Sequence, residues 1–552
     1  MGSQSGPVFP QEIWWLVSLE VAARRDFGSL FLLARLSKGM ARLALPELYA
    51  IHDMSPAINA HILNVETSIC LWRSIIISSL GTTMFPYCCW IKALLLGGLH
   101  SQLEDLSRDN PALKASFFRP PLEKLEVYTI SEKFLDADKI VVEVAHMVTS
   151  YIRASAAREN KETALAVLEG QNLPQTLLPG WVSGLSNLTT LSVRDGATLN
   201  ADISRAIRKH CPAFKHVQCF FFSSGIHVDA TTAGFFLNLK PQSLESFAVL
   251  SLNHIGFRTF QALNGHSDTL KVLALYSLER AAFERLYELQ DCRKLEIFRL
   301  EGAMNTKQYR WAEAGNPVFQ DVVRWLQKCT ALWYIELMAV PSGHTLCAQI
   351  LEGANIRPMT LVLKCFDVGP DLSASLTGQT NLRRLTIEIR DEDVLEADDG
   401  RRTLMANAIS TCRKLRELDT NELFTLEEVD QICGSLPHLE EIVLNGECIN
   451  DAYLGSLSKL RRLRSLNIFG PSVINAGPLL EMLSGFAADP GGAHEGLQVW
   501  ISNQAPTLRM TKEDKAAVTS ILWSRFKGQF KISYRPETHP IHFGSDGLDV
   551  SD

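Results

Sequence analysis

Residues 439–454 read LEEIVLNGECINDAYL and mix two periods. The first half sets Ile442 and Leu444 two apart, as one face of a strand requires. After a polar break, the second half spaces Ile449, Tyr453 and Leu454 as a helix does. No single element explains the run, so it predicts a strand-turn-helix unit. Such a unit buries one face of its strand and one of its helix only against neighbours like itself, and it is not stable alone.

The same pattern recurs in one frame. With the first apolar residue of L-x-x-L-x-L as the mark, and apolar substitutes allowed, it returns at Ile91, Leu122, Leu188, Phe214, Leu244, Leu270, Leu295, Leu332, Leu382, Leu415, Leu439 and Leu463. Degenerate units lie near 359–366 and 497–501. The step from 188 to 214 is 26 residues, from 270 to 295 it is 25, and from 415 to 439 and 439 to 463 it is 24. These steps match the roughly 20 to 29 residues of a leucine-rich repeat. The 50 residues from Leu332 to Leu382 read as two repeats with a degenerate unit between them. Cysteine gives an independent check, since Cys88, Cys211, Cys292, Cys329 and Cys412 each stand three residues before a mark. A small apolar thiol packs well where a helix turns into the next strand. The pattern resembles cysteine-containing leucine-rich repeats, in which the strand is followed by a cysteine and an I-x-D-x-x-L helix start. Cys448, Ile449, Asp451 and Leu454 follow it with one residue fewer before the leucine. The expected fold is α/β, with about 12–14 irregular repeats over residues 53–534.

The first fifty residues differ. Pro10 and Glu12 suit a helix start, and Asp26 can cap a second helix. Ile13, Leu16, Val17 and Val21 share one face of the first helix, with Trp15 and Leu19 on another. Leu30, Leu33 and Ala34 oppose Leu32 and Leu36 on the second. A helix pair that is apolar on two sides covers one of them itself, and the other needs a further partner. The stretch resembles an F-box, through Phe9, Pro10, Glu12, Ile13, Val17, Val21, Asp26, Phe27, Leu30, Leu33 and Ala34. Phe9 and Ala34 depart from the pattern's Leu and Cys, and one residue more separates Val21 from Asp26. The resemblance implies a three-helix F-box over residues 1–52 that docks a Skp-type adaptor and through it a cullin. Pro10, Ile13, Leu16, Val17, Val21, Leu30, Leu33 and Leu36 would form the adaptor surface. The repeats would hold a protein substrate for ubiquitination, making the chain the recognition subunit of a Skp-cullin-F-box ligase. The alternatives are a repeat scaffold or inhibitor with no ubiquitin role, and a GTPase activator of the leucine-rich repeat type.

Composition fits a folded protein with a large core, at 46% hydrophobic and 21% charged residues. A net charge of −7 argues against a general nucleic-acid binder, although local basic clusters are compatible with it. Twelve cysteines in 552 residues are too sparse for a disulfide scaffold. The amino terminus lacks the pattern of a signal peptide, and Gly6 stands where a myristoylation signal wants Ser or Thr. The uncharged run 74–91 is broken by Gly81 and Pro86 and reads as no membrane span. The Asn187 sequon counts for little without a secretory signal. The expected location is therefore cytoplasmic and/or nuclear, and the tail 535–552 is expected to be disordered and acidic. No phosphate-binding loop, nucleophile elbow or zinc-ligand spacing occurs, so no cofactor, metal or enzymatic activity is expected.

Binding can be placed on the strands. Counting the mark as zero, positions +3 and +5 point into the core, while +2, +4 and +6 line the exposed, concave face. Tyr128 and Phe220 fall on that face, and the candidate substrate residues there are Tyr276, Arg299, Glu301, Tyr334, Glu336, Glu388, Glu417, Asp419, Glu441 and Phe469. From Arg299 onward, six acids face two arginines, which fits a basic or mixed apolar-basic segment. Two insertions, 302–317 with Tyr309 and Trp311, and the charge-rich 388–402, are further candidates. The segment 133–180 reads either as an irregular repeat or as an inserted arm.

Overall fold

The computed structural model describes residues 9–50, 65–130, 134–223, 225, 227–306, 309–313, 316–353, 355–366, 370–389, 399–445, 449–470, 472–488, 494–503 and 510–534. The chain divides into two compact units, on either side of the Leu295–Glu296 bond.

The first unit opens with three helices, α1 (Gln11–Ala23), α2 (Phe27–Leu36) and α3 (Lys38–Tyr49). Each start has a local cause. Pro10 precedes α1 with the extended backbone its ring favours. The Asp26 carboxylate accepts the Ser29 backbone N–H at 3.0 Å, and the Ser37 hydroxyl accepts that of Met40 at 3.1 Å. The extra residue between Val21 and Asp26 falls in a turn that Arg25 closes in the left-handed region, at φ 56°. Tyr49 ends α3 and fixes it to the helix Val65–Ser79 and the turn beyond. Its hydroxyl lies 2.6 Å from Ser74 Oγ on that helix, and its ring stacks on Tyr87 with centroids 4.7 Å apart.

Six parallel strands come next in this unit: Ala93–Leu95, Val167–Gly170, Thr190–Asp195, His216–Phe221, Ser246–Val249 and Val272–Leu278. Each of the first five pairs with the next in sequence. The second unit carries nine more: Ile297–Gly302, Tyr334–Met338, Thr360–Phe366, Arg384–Ile389, Glu417–Thr420, Glu441–Asn445, Ser465–Gly470, Gln498–Asn503 and Gln529–Tyr534. Helices connect them, as parallel pairing demands. The inward positions are those the period assigns: Leu191, Phe298, Ile335, Leu385, Ile442 and Leu466 are all fully buried. In residues 439–454 the strand is Glu441–Asn445, Asn450 caps the helix Asp451–Leu457, and Ile449 stands just before that helix in a two-residue strand beside Ser472–Val473.

The cysteines before the marks are buried, and three of them share one geometry. Cys211, Cys292 and Cys412 turn their thiols toward the carbonyls of Val182, Leu263 and Leu376, at 3.4, 3.9 and 3.8 Å. Each of those carbonyls belongs to the last residue of the preceding repeat's helix, where helical partners run out.

Among the described residues, fifteen ladder strands exceed the expected 12–14 repeats, and the frame is corrected in three places. Leu122 and Leu125 are buried, but they belong to a single 3-10 turn and Val127 is 78% exposed. That unit has no strand, so Tyr128 lies on no strand face. The strand Val167–Gly170 escapes the pattern because Gly170 stands where an apolar residue is expected. The Leu173 side chain fills its space, and a Cβ on Gly170 would meet Leu173 Cδ2 at 2.4 Å. Residues 137–170 are therefore a repeat with a long helix, Ala137–Glu159. The strand Gln529–Tyr534 is also absent from the frame, while the tail after it, like residues 390–398 of the charge-rich insertion, lies outside the described residues. In the degenerate units, register puts Pro358 and Gly496 at the mark, since Thr360 pairs with Arg384 and Gln498 with Ser465.

Candidate interaction surfaces

The first surface belongs to the three amino-terminal helices. Their packing buries Leu30 and Ser18 completely and half-buries Val21 and Leu33. What remains outside is apolar: Ile13, Trp15, Leu16 and Val17 on α1, and Phe31, Leu32 and Leu36 on α2, with Phe9 ahead of them. These are 37–67% exposed. Soluble proteins rarely leave so many large apolar side chains together in water without a use for them. Five of the eight expected adaptor residues, Pro10, Ile13, Leu16, Val17 and Leu36, are exposed; Leu30 is not, because it forms the hairpin's own core. Phe31 is not singled out by the sequence, since a two-face reading of α2 leaves it between the faces.

On the strand face of the first unit, Phe220, Leu250 and Tyr276 hold the +6 place of three successive repeats, and Phe220 is 52% exposed. Tyr276 is half-buried there.

The second unit gathers the other candidates more tightly. Tyr334, Glu336, Glu417, Asp419 and Glu441 line one depression of about 310 Å³, together with Lys364, Arg384 and Thr386. The parallel register makes it: Tyr334, Thr360, Arg384, Glu417 and Glu441 are successive partners across five strands. Much of the charge is matched internally. Arg384 pairs with Glu417, Lys364 with Glu388 at 3.2 Å, and Arg299 with Glu336 at 3.5 Å. The Arg299 guanidinium lies 4.8 Å from the centroid of the Tyr334 ring, whose hydroxyl donates to Glu336 at 2.8 Å. Lys364 is hidden from the sequence pattern because its repeat is degenerate, and it cuts the acidic surplus read there. Asp419 and Glu441 make no hydrogen bond or ion pair through their side chains among the described residues. Loss of hydration in the depression pushes both carboxyls up, and Glu388 and Glu417 respectively add like-charge repulsion.

Glu301 lies at the start of the same face, opposite Met338. Phe469 lies toward its other end, edge-on to Trp500 at 5.9 Å, with Lys531 above Trp500 at 4.4 Å. Trp500 is a further exposed aromatic, hidden by the shifted frame. Trp311 is corrected: it is fully buried against Phe319, with centroids 5.3 Å apart, and serves the core of the second unit. Among the described residues, no group of three His, Cys, Asp or Glu side chains is arranged to hold a metal ion, and no helix is long and apolar enough to cross a membrane.

No family model matches the chain. No characterised protein matches it by sequence either. Among solved structures, the yeast complex of Rad7 and Elc1 is similar over 60% of this chain and 84% of that one, at 16% identity and a TM-score of 0.37. A likeness at that level says nothing of what this chain does.

Proposed function

We propose that this chain is the substrate-recognition subunit of a ubiquitin ligase of the Skp-cullin-F-box kind. Its amino-terminal helices would dock the adaptor, and its strand face would hold the substrate, with the chemistry left to partner enzymes. The observation that carries the reading is the uncovered apolar side of α1 and α2. Had the chain covered both sides of that hairpin itself, nothing would call for a second polypeptide. The resemblance of residues 9–34 to an F-box names the partner, and the depression around Asp419 and Glu441 supports a substrate with a cationic segment.

A Skp-type adaptor mixed with the full chain is expected to co-elute with it. Leu16→Asp combined with Leu32→Asp should weaken that association at least about a hundredfold, since each places a charge in a desolvated contact. Unchanged co-elution of the double variant, with its folding verified by circular dichroism, rejects the reading.

A further inference from the structure

The second unit carries charge of the opposite sign at the edge where its strands begin. The turns leading into Arg384–Ile389, Glu417–Thr420 and Ser465–Gly470 read NLRR, CRKLRE and LRRLRS. The residue before each strand is tied to the next by the backbone: Arg416 N–H donates to Arg383 O at 2.7 Å, and Glu440 N–H to Arg416 O at 2.7 Å. Arg464 N–H donates to Glu440 O in turn. At roughly 4.8 Å per strand, Arg383 and Arg464 stand about 14 Å apart along one edge. The acid among them, Glu440, is engaged by Arg416 at 3.5 Å, and Lys414 is held by Asn381 at 2.9 Å. Arg383, Arg413, Arg461 and Arg462 are exposed, and their side chains have no hydrogen bond or ion pair among the described residues. The same edge of the first unit is neutralised instead, with Lys215 bound to Glu245 at 2.7 Å.

We propose that this arginine edge binds an anionic segment of a partner polypeptide, laid across the starts of the strands. Guanidinium groups pair two oxygens of a carboxylate or phosphate at once, and a row of them recognises a row of oxyanions. A narrow extended peptide can keep to this edge. Nucleic acid fits less well, because Glu417 and Glu441 begin the neighbouring strands one residue further on and would face its continuous phosphates. The proposal does not involve the amino-terminal helices, and its binding groups are the arginines of the edge, with Glu417 and Glu441 of the depression serving only to disfavour nucleic acid, so it does not depend on the adaptor reading.

Fluorescence anisotropy on the full chain tests it with three probes: a glutamate-rich peptide, the same peptide with phosphoserines, and duplex DNA of matched charge. At least one peptide is expected to bind more tightly than the DNA, and the tighter one identifies the source of the anion. Arg383→Glu, Arg413→Glu and Arg462→Glu together should weaken peptide binding by about tenfold or more, at roughly half a kcal/mol for each exposed charge contact. Lys215→Glu with Lys271→Glu in the first unit should leave it within about twofold. The corresponding Arg→Gln triple variant, which adds no repulsion, should show a smaller loss with an unchanged melting curve. Failure of both peptides to bind, DNA binding more tightly than either, or a triple reversal that binds like the parent overturns the proposal.

Discussion

Cys211, Cys292 and Cys412 show how one side chain can serve two repeats, since each belongs to one and reaches the terminal carbonyl of the helix before it. Burial pushes the Cys211 thiol up to about 12 and that of Cys412 to about 11, so neither is a nucleophile at neutral pH. Under native conditions iodoacetamide should label the exposed Cys70 and Cys365 and spare these three; labelling of Cys292 before unfolding would contradict the packing described. Cys292→Ala should cost about 1 kcal/mol in denaturant unfolding, through a small cavity and a lost weak bond. The acids of the depression give a pH dependence whose sign comes from their environment. Asp419 and Glu441 are held above the usual carboxylate range, so on acidification they lose charge earlier than ordinary acids, which titrate near 4. A lysine-rich peptide bound there should weaken as pH falls, starting above that range. Asp419→Asn with Glu441→Gln should flatten the profile, and an unchanged profile would place the peptide elsewhere.

At the scale of elements, the last strand depends on the absence of a side chain. A Cβ on Gly528 would stand 1.9 Å from the carbonyl oxygen of Leu497, the same oxygen that accepts the Gln529 backbone N–H at 3.0 Å. Gly528→Ala must therefore lift Gln529–Tyr534 off its neighbour, at a cost of about 3 kcal/mol or more. Hydrogen exchange should rise in residues 498–503 and 529–534 and stay unchanged in 167–249, because ladder neighbours feel each other and distant repeats do not. Uniform acceleration along the chain would refute that locality. Most of this architecture is legible from periodicity, since the strands with an apolar mark as well as an apolar pair at +3 and +5 fall where the frame places them; Gln529–Tyr534 has the pair, Phe530 and Ile532, but Lys527 at its mark. What is not legible involves exchanges between residues. Leu173 supplies the bulk that Gly170 lacks, and Pro358 and Gly496 occupy marks where leucine is the rule. The Leu122 unit has the spelling of a strand but not the structure, because Val127 has no core to enter. The candidate surface is legible as a set of outward positions, but its ion pairs are not, because pairing depends on register between strands whose paired residues are 24 to 37 positions apart in sequence.

For the molecule as a whole, every ladder strand of a unit pairs with its neighbours in sequence, so no distant segment is needed to complete either unit. Recognition surfaces can then vary repeat by repeat, and the second unit sets a basic edge beside an acidic depression within a few strands. The exception to this self-sufficiency is the apolar side of α1 and α2. On the reading proposed above, a newly made chain that meets no adaptor would expose to the cell the kind of surface that chaperones and quality-control proteases read as misfolded. On that reading its lifetime would rise and fall with the supply of the adaptor, so that an excess of the chain would be cleared without any dedicated regulator.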